Sequence, residues 1–206
     1  MKKILTATIL ILVIALSFTS CNKVKEELDN PVFNQLNELV KAECKSYSID
    51  VSLTNKDAHT LNERYDVVTG ENGQKTVTYT VERLNEFSVN GGNITAPSSY
   101  KTELTGTAII DGENLIKHDG DDVGIDFAEI KLPSFNFTGD ALENAMVVND
   151  DTLMADVTNQ EAFLGFVLTG EPMQLEVQFS EETISTVTLT FKTSTGNDAV
   201  VVYTFN

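Results

Sequence analysis

The sequence predicts an α+β protein that is mainly β, in which a curved antiparallel sheet of eight to ten strands, a half-barrel, packs against one N-terminal amphipathic helix. Apolar residues recur with a period of two over most of residues 46–205, which is typical of half-buried strands. A period of three to four is clear in residues 31–45. A large antiparallel sheet curls because its strands twist, and a helix in the concavity can bury the inner face. A β-sandwich is the alternative, and the early helix argues mildly against it.

The first residues have the features of an export leader. Two lysines follow Met1, and residues 4–16 are apolar and uncharged. Residues 17–20 are mostly small and immediately precede Cys21. A membrane-spanning helix needs about 20 apolar residues, so the run is too short to span a bilayer comfortably. We therefore predict a signal peptide over residues 1–20, cleaved before Cys21.

This leader resembles the lipobox of bacterial lipoproteins, in which the cysteine becomes the diacylated first residue of the mature protein. Ser20 fits the position before the cysteine, whereas Phe18 stands where leucine is more usual. The resemblance implies lipidation of Cys21, for example with palmitate, and attachment to a membrane of the cell envelope, at the outer membrane or cell surface and outside the cytoplasm. Two or three acyl chains, at about 0.8 kcal/mol per buried CH₂, hold a protein on a membrane. An ordinary secretory signal or an uncleaved anchor is the alternative.

Residues 21–30 form a polar tether, and residues 31–206 have a length that suits a single domain. Two of the 14 basic residues, Lys2 and Lys3, belong to the leader. The mature chain therefore has 12 basic and 31 acidic residues, which give it a formal charge of −19. This charge repels phosphate groups, which argues against nucleic acid as a partner and against electrostatic docking on anionic lipids.

The helix is predicted over residues 31–45. Asn30 can cap it, and Pro31 suits its first position. Its apolar face comprises Val32, Phe33, Leu36, Leu39, Val40 and Cys44. With Cys21 lipidated, Cys44 has no disulfide partner, and its place on this face predicts a small buried hydrophobe.

Strands follow where the period changes to two. The first two are predicted over residues 47–53 and 61–67, and the turn Gly70-Glu71-Asn72-Gly73 predicts a hairpin into residues 76–82. Residues 85–99 are predicted as a loop or edge connection.

The second half of the chain is less regular until its end. Strands are predicted at residues 104–110, 115–116 and 153–157, a helical turn at 140–147 and a short helix or apolar loop at 160–166. Pro133 restricts any strand in residues 127–137 to an edge or to two pieces. Three alternating runs over residues 174–205 predict a meander. In its last strand Val200 and Val202 alternate with Val201 and Tyr203, so we expect both faces to be covered.

The order of elements, together with the leader, resembles the LolA and LppX type of envelope lipoprotein. The resemblance implies an unclosed barrel that accommodates acyl chains.

Residue patterns for catalysis are sparse, and we predict no enzyme and no cofactor. His59 is predicted in a polar loop and His118 beside an acidic loop, so both are expected to be surface histidines. The sequence has no nucleophile elbow, zinc pair or nucleotide-binding glycine pattern. The densest acidic segment offers a weak calcium candidate formed by Asp119, Asp121, Asp122 and Asp126. An EF-hand is excluded because Val123 and Ile130 occupy ligand positions, and a solvated acidic turn is the alternative.

Two hypotheses for function remain. In the first, the hollow of the curved sheet binds an apolar or lipid-like ligand. In the second, the threonine-rich outer face or the loops of a surface-exposed protein bind another protein or a glycan.

Overall fold

The protein is described by a computed structural model that covers residues 31–41, 44–55, 58–87, 98–169 and 171–206. In these ranges, ten strands form one open, curved antiparallel sheet, accompanied by two α-helices and a 3-10 helix at Phe127–Glu129. The strands are β1 (Ser46–Asn55), β2 (Ala58–Thr69), β3 (Lys75–Phe87), β4 (Ser98–Asp111), β5 (Asn114–Gly120), β6 (Leu142–Val148), β7 (Thr152–Val157), β8 (Met173–Phe179), β9 (Ile184–Lys192) and β10 (Asp198–Phe205). The helices are α1 (Pro31–Lys41) and α2 (Gln160–Leu164). The predicted curved sheet is confirmed, and the β-sandwich alternative is wrong because all ten strands belong to one sheet.

The sheet has the order β5-β4-β3-β2-β1-β10-β9-β8-β7-β6. The first and last strands therefore pair at its centre, in register from Tyr47 opposite Phe205 to Thr54 opposite Asp198. Strands β5 and β6, which follow one another along the chain, lie at the two opposite edges. Residues 121–141 must therefore cross from one edge of the sheet to the other, and we call this segment the strap.

The strap crosses the inner face, which is the face that carries the buried side chains. Near its start, the ring of Phe127 lies 5.1 Å from that of Tyr79 on β3. Further along, Phe135 packs edge-on against Tyr203 of β10, with ring centroids 5.1 Å apart. The ring of Phe137 contacts Phe163 of α2 at 5.3 Å. The strap and the two helices thus form a second layer over the concave side of the sheet.

The core lies between these two layers. Phe33 and Leu36 of α1 are buried, and Val32, Leu39 and Val40 pack partly buried against the same cluster, as the helical period predicts. The sheet contributes alternate residues, including Val67, Val77, Val177 and Val187, as the period of two predicts. The hairpins, the strand at β7, the short helix α2 and the final meander are also confirmed.

Two predictions of element boundaries in the first half of the chain are wrong. Helix α1 ends at Lys41 within the described residues, and Cys44 and Lys45 are already outside it. The carbonyl of Lys45 accepts a hydrogen bond from the amide of Thr69 at 2.7 Å, so this residue leads directly into the pairing of β1 with β2. The predicted loop at residues 85–99 is partly strand, since β3 continues to Phe87 and β4 begins at Ser98; residues 88–97 lie outside the described residues.

Three further predictions need correction. Residues 142–148 form β6 rather than a helical turn, because pairing of Leu142 with Val157 of β7 overrides local preference. A single turn does precede it, where the amide of Leu142 donates to the carbonyl of Thr138. The return strand β5 spans seven residues instead of two. Residues 127–137 form no strand, and only a 3-10 helix interrupts their irregular path.

Candidate functional site

The concave side of the sheet is largely filled by the protein's own side chains. Leu36 of α1, Phe135 of the strap and Phe163 of α2 are each at most 1% exposed. The first functional hypothesis expected an extensive open hollow on this side. The described residues do not form one. The reason is topological, because the strap that joins the two edge strands must cross this side and buries its apolar residues there.

A smaller apolar pocket remains where α1, the strap and the ends of β9 and β10 meet. Its volume is about 300 Å³, which lies at the lower end of the range for small-molecule sites. The pocket is lined by Leu39, Val40, Cys44, Leu132, Pro133, Phe135, Thr183, Ile184, Phe205 and Asn206. Most of these side chains are apolar, and none carries a charge. This pocket is the candidate ligand site.

The hydroxyl of Tyr47 is the notable polar group beside this pocket. Tyr47 is 3% exposed, and its hydroxyl oxygen approaches the backbone of Leu132 without forming a well-aligned hydrogen bond. Burial raises the pKa of Tyr47 to about 12; the nearby backbone of Leu132 opposes this shift, and Cys44 adds to it. Leu132 and Cys44 line the pocket and Tyr47 does not, so this hydroxyl is buried in the core rather than open to the pocket.

Cys44 contributes to the same wall. The sequence predicted a small buried hydrophobe, and Cys44 does pack against the core, but its side chain is only partly buried. Its thiol donates a hydrogen bond to the carbonyl of Ser46, with 3.2 Å between sulfur and oxygen. The thiol is thus engaged in fixing the connection between α1 and β1.

The strap is anchored to α1 through one amide side chain. The Nδ2 atom of Asn37 donates to the carbonyl of Phe137, and the Oδ1 atom accepts from the amide of Phe137, both at 2.8 Å. Just before Phe137 in the strap, the amides of Ser134 and Asn136 donate to carbonyls at the end of α2. These bonds satisfy backbone groups of an irregular segment that has no strand neighbour, and they fix the wall of the pocket.

At its other end the strap is held by Tyr79. The Tyr79 hydroxyl donates to the carbonyl of Asp121 at 2.5 Å and lies 2.7 Å from Nε2 of His118. Because the hydroxyl has one proton, Nε2 of His118 is the donor in the second bond. The pKa of Tyr79 is raised, by burial first and then by the neighbouring aspartates. His118 was predicted as a surface histidine; it is exposed, but its ring helps to fix Tyr79.

His59 lies in β2 and not in the polar loop that its neighbours suggested, and its side chain lies outside the described residues.

The sequence did offer one signal for the cluster around Tyr79, which is Gly106 in the middle of β4. A glycine inside a strand marks close approach by another group. A Cβ atom at Gly106 would meet the Tyr79 hydroxyl.

Two of the four aspartates of the calcium candidate form hydrogen bonds within local structure. Oδ2 of Asp121 accepts from the amide of Thr105 at 2.9 Å, and Oδ1 of Asp122 accepts from the amide of Gly124 at 2.9 Å. Among the described residues, no three His, Cys, Asp or Glu side chains are placed to hold a metal ion. The candidate set Asp119, Asp121, Asp122 and Asp126 therefore does not converge as a calcium site requires.

The outer face of the sheet carries a shallow groove of about 290 Å³ across its centre. Val200 and Val202 lie in it partly buried, so the outer face of the last strand is partly covered, whereas its inner face is buried. Arg64 borders the groove and forms ion pairs with Asp50 at 3.0 Å and Asp66 at 2.8 Å. Farther out on the sheet, Met146 and Met154 are exposed opposite each other on β6 and β7.

The predicted leader, Cys21 and the tether lie outside the described residues. Within the described ranges, neither α-helix has the length and apolar character that crossing a bilayer requires.

No protein family matches this sequence, and no curated protein does. Among solved structures, the chain is similar to the crystal structure of LprF from Mycobacterium bovis, with 11% sequence identity and a TM-score of 0.40. The similarity covers 85% of this chain and 90% of that chain.

Proposed function

We propose that this chain is a non-enzymatic lipoprotein of the bacterial cell envelope, anchored through acyl groups on Cys21, whose domain binds an apolar ligand. The observation that carries the proposal is the pocket of about 300 Å³ between α1, the strap and the ends of β9 and β10. Uncharged, mostly apolar walls favour a ligand that gains from leaving water.

The expected affinity follows from the ligand's size. Burying eight CH₂ groups contributes about 6 kcal/mol, and association costs at least about 4 kcal/mol. A simple eight-carbon chain should therefore bind weakly, with a Kd of about 30 mM or weaker. A natural ligand with further contacts would bind more tightly.

The test uses octanol as the probe, because its hydroxyl makes an eight-carbon chain soluble at millimolar concentration, and chemical-shift titration of the domain as the measurement. Substitution Val40→Phe places a larger side chain into the pocket and should abolish the shifts. The matched control is Val68→Phe, which adds the same atoms on the exposed outer face, where Val68 is 52% exposed. If octanol produces no shifts in the unmodified domain, or if Val40→Phe leaves them unchanged, the pocket is not a binding site.

The anchor is tested separately. The negative charge of the mature chain does not favour contact with anionic lipids, so membrane attachment must depend on covalent lipid. Metabolic labelling with palmitate should mark the protein and place it in the membrane fraction, and Cys21→Ser should abolish both results. Cys44→Ser is the control and should retain the label. An unlabelled protein recovered from the soluble intracellular fraction would contradict the anchor.

A second candidate function is recognition of a protein or glycan at the cell surface. The observation that favours it is the outer groove, where the partly buried Val200 and Val202 lie among mostly polar residues. Protease treatment of intact cells should release the domain if it is displayed at the surface. A domain that resists protease until the outer membrane is opened would argue against this role.

A further inference from the structure

We infer that the outer face of β6, β7 and β8 docks an extended, lysine-rich segment of another protein. This face lies on the other side of the sheet from the apolar pocket, so the inference does not depend on the ligand proposed for that pocket. Three observations support it, which are the strand register, two exposed methionines and a set of carboxylates without ion pairs.

Strand register places two rows of side chains across this face. Each row takes one residue from β6, one from β7 and one from β8, and the rows are Glu143, Asp156 and Gln174, then Met146, Met154 and Glu176. On β7 and β8 the rows lie about 7 Å apart, because side chains on one face recur at every second residue. A groove of about 210 Å³ lies between the rows. Ala155 and Leu175, whose side chains are buried on the other face, form its floor.

A larger cleft of about 730 Å³ continues from this groove around the end of the strands, because Asp156 lines both. The side chain of Gln160 fixes one wall of the cleft, since its Oε1 atom accepts from the amides of Leu168 and Thr169 at 2.9 and 3.0 Å. Its Nε2 atom donates to the carbonyl of Glu171 at 3.3 Å. A wall that is held in this way before a partner arrives lowers the entropic cost of binding.

The groove and the cleft carry only negative charge. The acidic residues that line one or both of them are Glu143, Asp156, Glu161, Glu171 and Glu176. Among the described residues, neither lining includes Lys, Arg or His, and none of these five carboxylates forms an ion pair. A cationic partner therefore gains their attraction without displacing a basic side chain of the protein.

The exposed methionines restrict the kind of cation. Met146 and Met154 are 57% and 45% exposed, and they face each other on β6 and β7. A lysine side chain can lay its aliphatic stem on such a surface while its ammonium group stays in water beside a carboxylate. Glu176 lies directly opposite Met154 and supplies that carboxylate. Flexible apolar side chains beside carboxylates thus favour lysine over a compact cation.

The shape of the surface restricts how the segment binds. β6 is the last strand of the sheet, but its register with β7 shifts between Glu143 and Met146, and Asn144 has a positive φ of 53°. Such a bulge protects an edge from the addition of another strand, so side chains rather than the backbone must recognise the partner. A helix, about 10–12 Å in diameter, is too wide for rows that are about 7 Å apart, whereas an extended chain enters between them.

The experiment measures binding of a fluorescent eight-residue peptide of alternating lysine and alanine to the domain, by fluorescence anisotropy at pH 6.5 and low salt. The double variant Asp156→Asn, Glu176→Gln removes two carboxylates from the groove and should weaken binding about three- to ten-fold. The matched control Glu181→Gln, Glu182→Gln removes the same charge from the exposed turn between β8 and β9. It should change the Kd by less than about 1.5-fold, because charges away from the site are screened.

The methionine contact is tested with a second peptide, in which diaminobutyric acid replaces lysine. This peptide keeps the charge but has shorter aliphatic stems, so it should bind about three-fold more weakly than the lysine peptide. Met154→Thr keeps a residue that favours strands and should leave the melting temperature unchanged. It should weaken binding of the lysine peptide and make the two peptides bind equally.

The result that would overturn the inference is equal weakening in the two double variants, because it would show attraction to the net charge alone. Absence of binding, or an unchanged difference between the peptides in Met154→Thr, would also overturn it. Spermine separates a free polyamine from a protein segment. If spermine binds as tightly as the lysine peptide and depends on the same two carboxylates, the partner is a polyamine and the inferred segment is wrong. The octanol titration of the apolar pocket is independent of all these outcomes.

Discussion

The hydrogen bonds between Asn37 and the strap allow a quantitative prediction for the substitution Asn37→Ala. The side chain makes two bonds of 2.8 Å to the amide and carbonyl of Phe137, a residue that is 1% exposed. Each lost bond costs about 1 kcal/mol, and a backbone group left without a partner adds about 1 kcal/mol or more where water cannot reach it. Alanine returns about 0.5 kcal/mol through its higher helix propensity. We expect the free energy of unfolding to fall by about 2–3 kcal/mol.

The matched control is Asn34→Ala, one turn earlier on the same helix. Asn34 is exposed, so its replacement should leave stability unchanged or raise it by about 0.5 kcal/mol. Urea unfolding measures both variants, and hydrogen exchange at the Phe137 amide should accelerate in Asn37→Ala alone. If the two variants differ by less than about 0.5 kcal/mol, or if exchange at Phe137 is unchanged, the strap is not held in the way described.

Two further predictions concern other parts of the core. Gly106→Ala forces a Cβ atom against the Tyr79 hydroxyl, so it should lower the free energy of unfolding in urea by about 3 kcal/mol. At Gly124 an added Cβ atom meets no other atom, so Gly124→Ala should cost only about 1 kcal/mol, because of the positive φ of 66°. Equal losses in the two variants would contradict the close approach at β4. Burial raises the pKa of Tyr47 and of Tyr203 from 10.0 to about 12, so the folded state favours the neutral phenols. Each neutral phenol therefore contributes about 3 kcal/mol to the free energy of unfolding. This contribution is complete below about pH 10 and is lost as the pH rises toward about 12. Unfolding at a series of alkaline pH values, followed by tyrosinate absorbance, checks this, and stability that stays constant from pH 10 to 12 would refute it.

The regular parts of the fold could be predicted because they depend on local pattern. The hairpin at Gly70-Glu71-Asn72-Gly73 has turn residues that suit it, and the final meander alternates apolar and polar residues for most of its length. The apolar face of α1 was also evident from its period. In each case the buried face can be identified from neighbouring residues alone.

The strap could not be predicted, because its backbone is satisfied by distant groups and leaves no period in the sequence. Asn37, Tyr79 and the end of α2 supply its hydrogen bonds, and the first of these partners lies 100 residues from Phe137. The filling of the concave side follows from the placement of β5 and β6 at opposite edges, which depends on long-range strand order.

The pocket was hidden for the same reason. Leu39, Leu132, Ile184 and Phe205 come from four separate segments, and each alone is an ordinary core residue. The acidic segment, by contrast, was conspicuous in sequence, yet its carboxylates serve turns and strand ends. A dense run of one residue type was therefore a poorer guide to the site than the arrangement of scattered apolar residues.

The pairing of β1 with β10 has a consequence for how the chain acquires its structure. Strands β1 to β5 and β10 to β6 form two groups in which every neighbour is adjacent in sequence, so each group can assemble from short-range contacts. Joining the groups requires residues about 150 positions apart to meet, and this step is entropically the slowest. The domain cannot be completed until β10 has been synthesised, because β1 lacks its central neighbour before that.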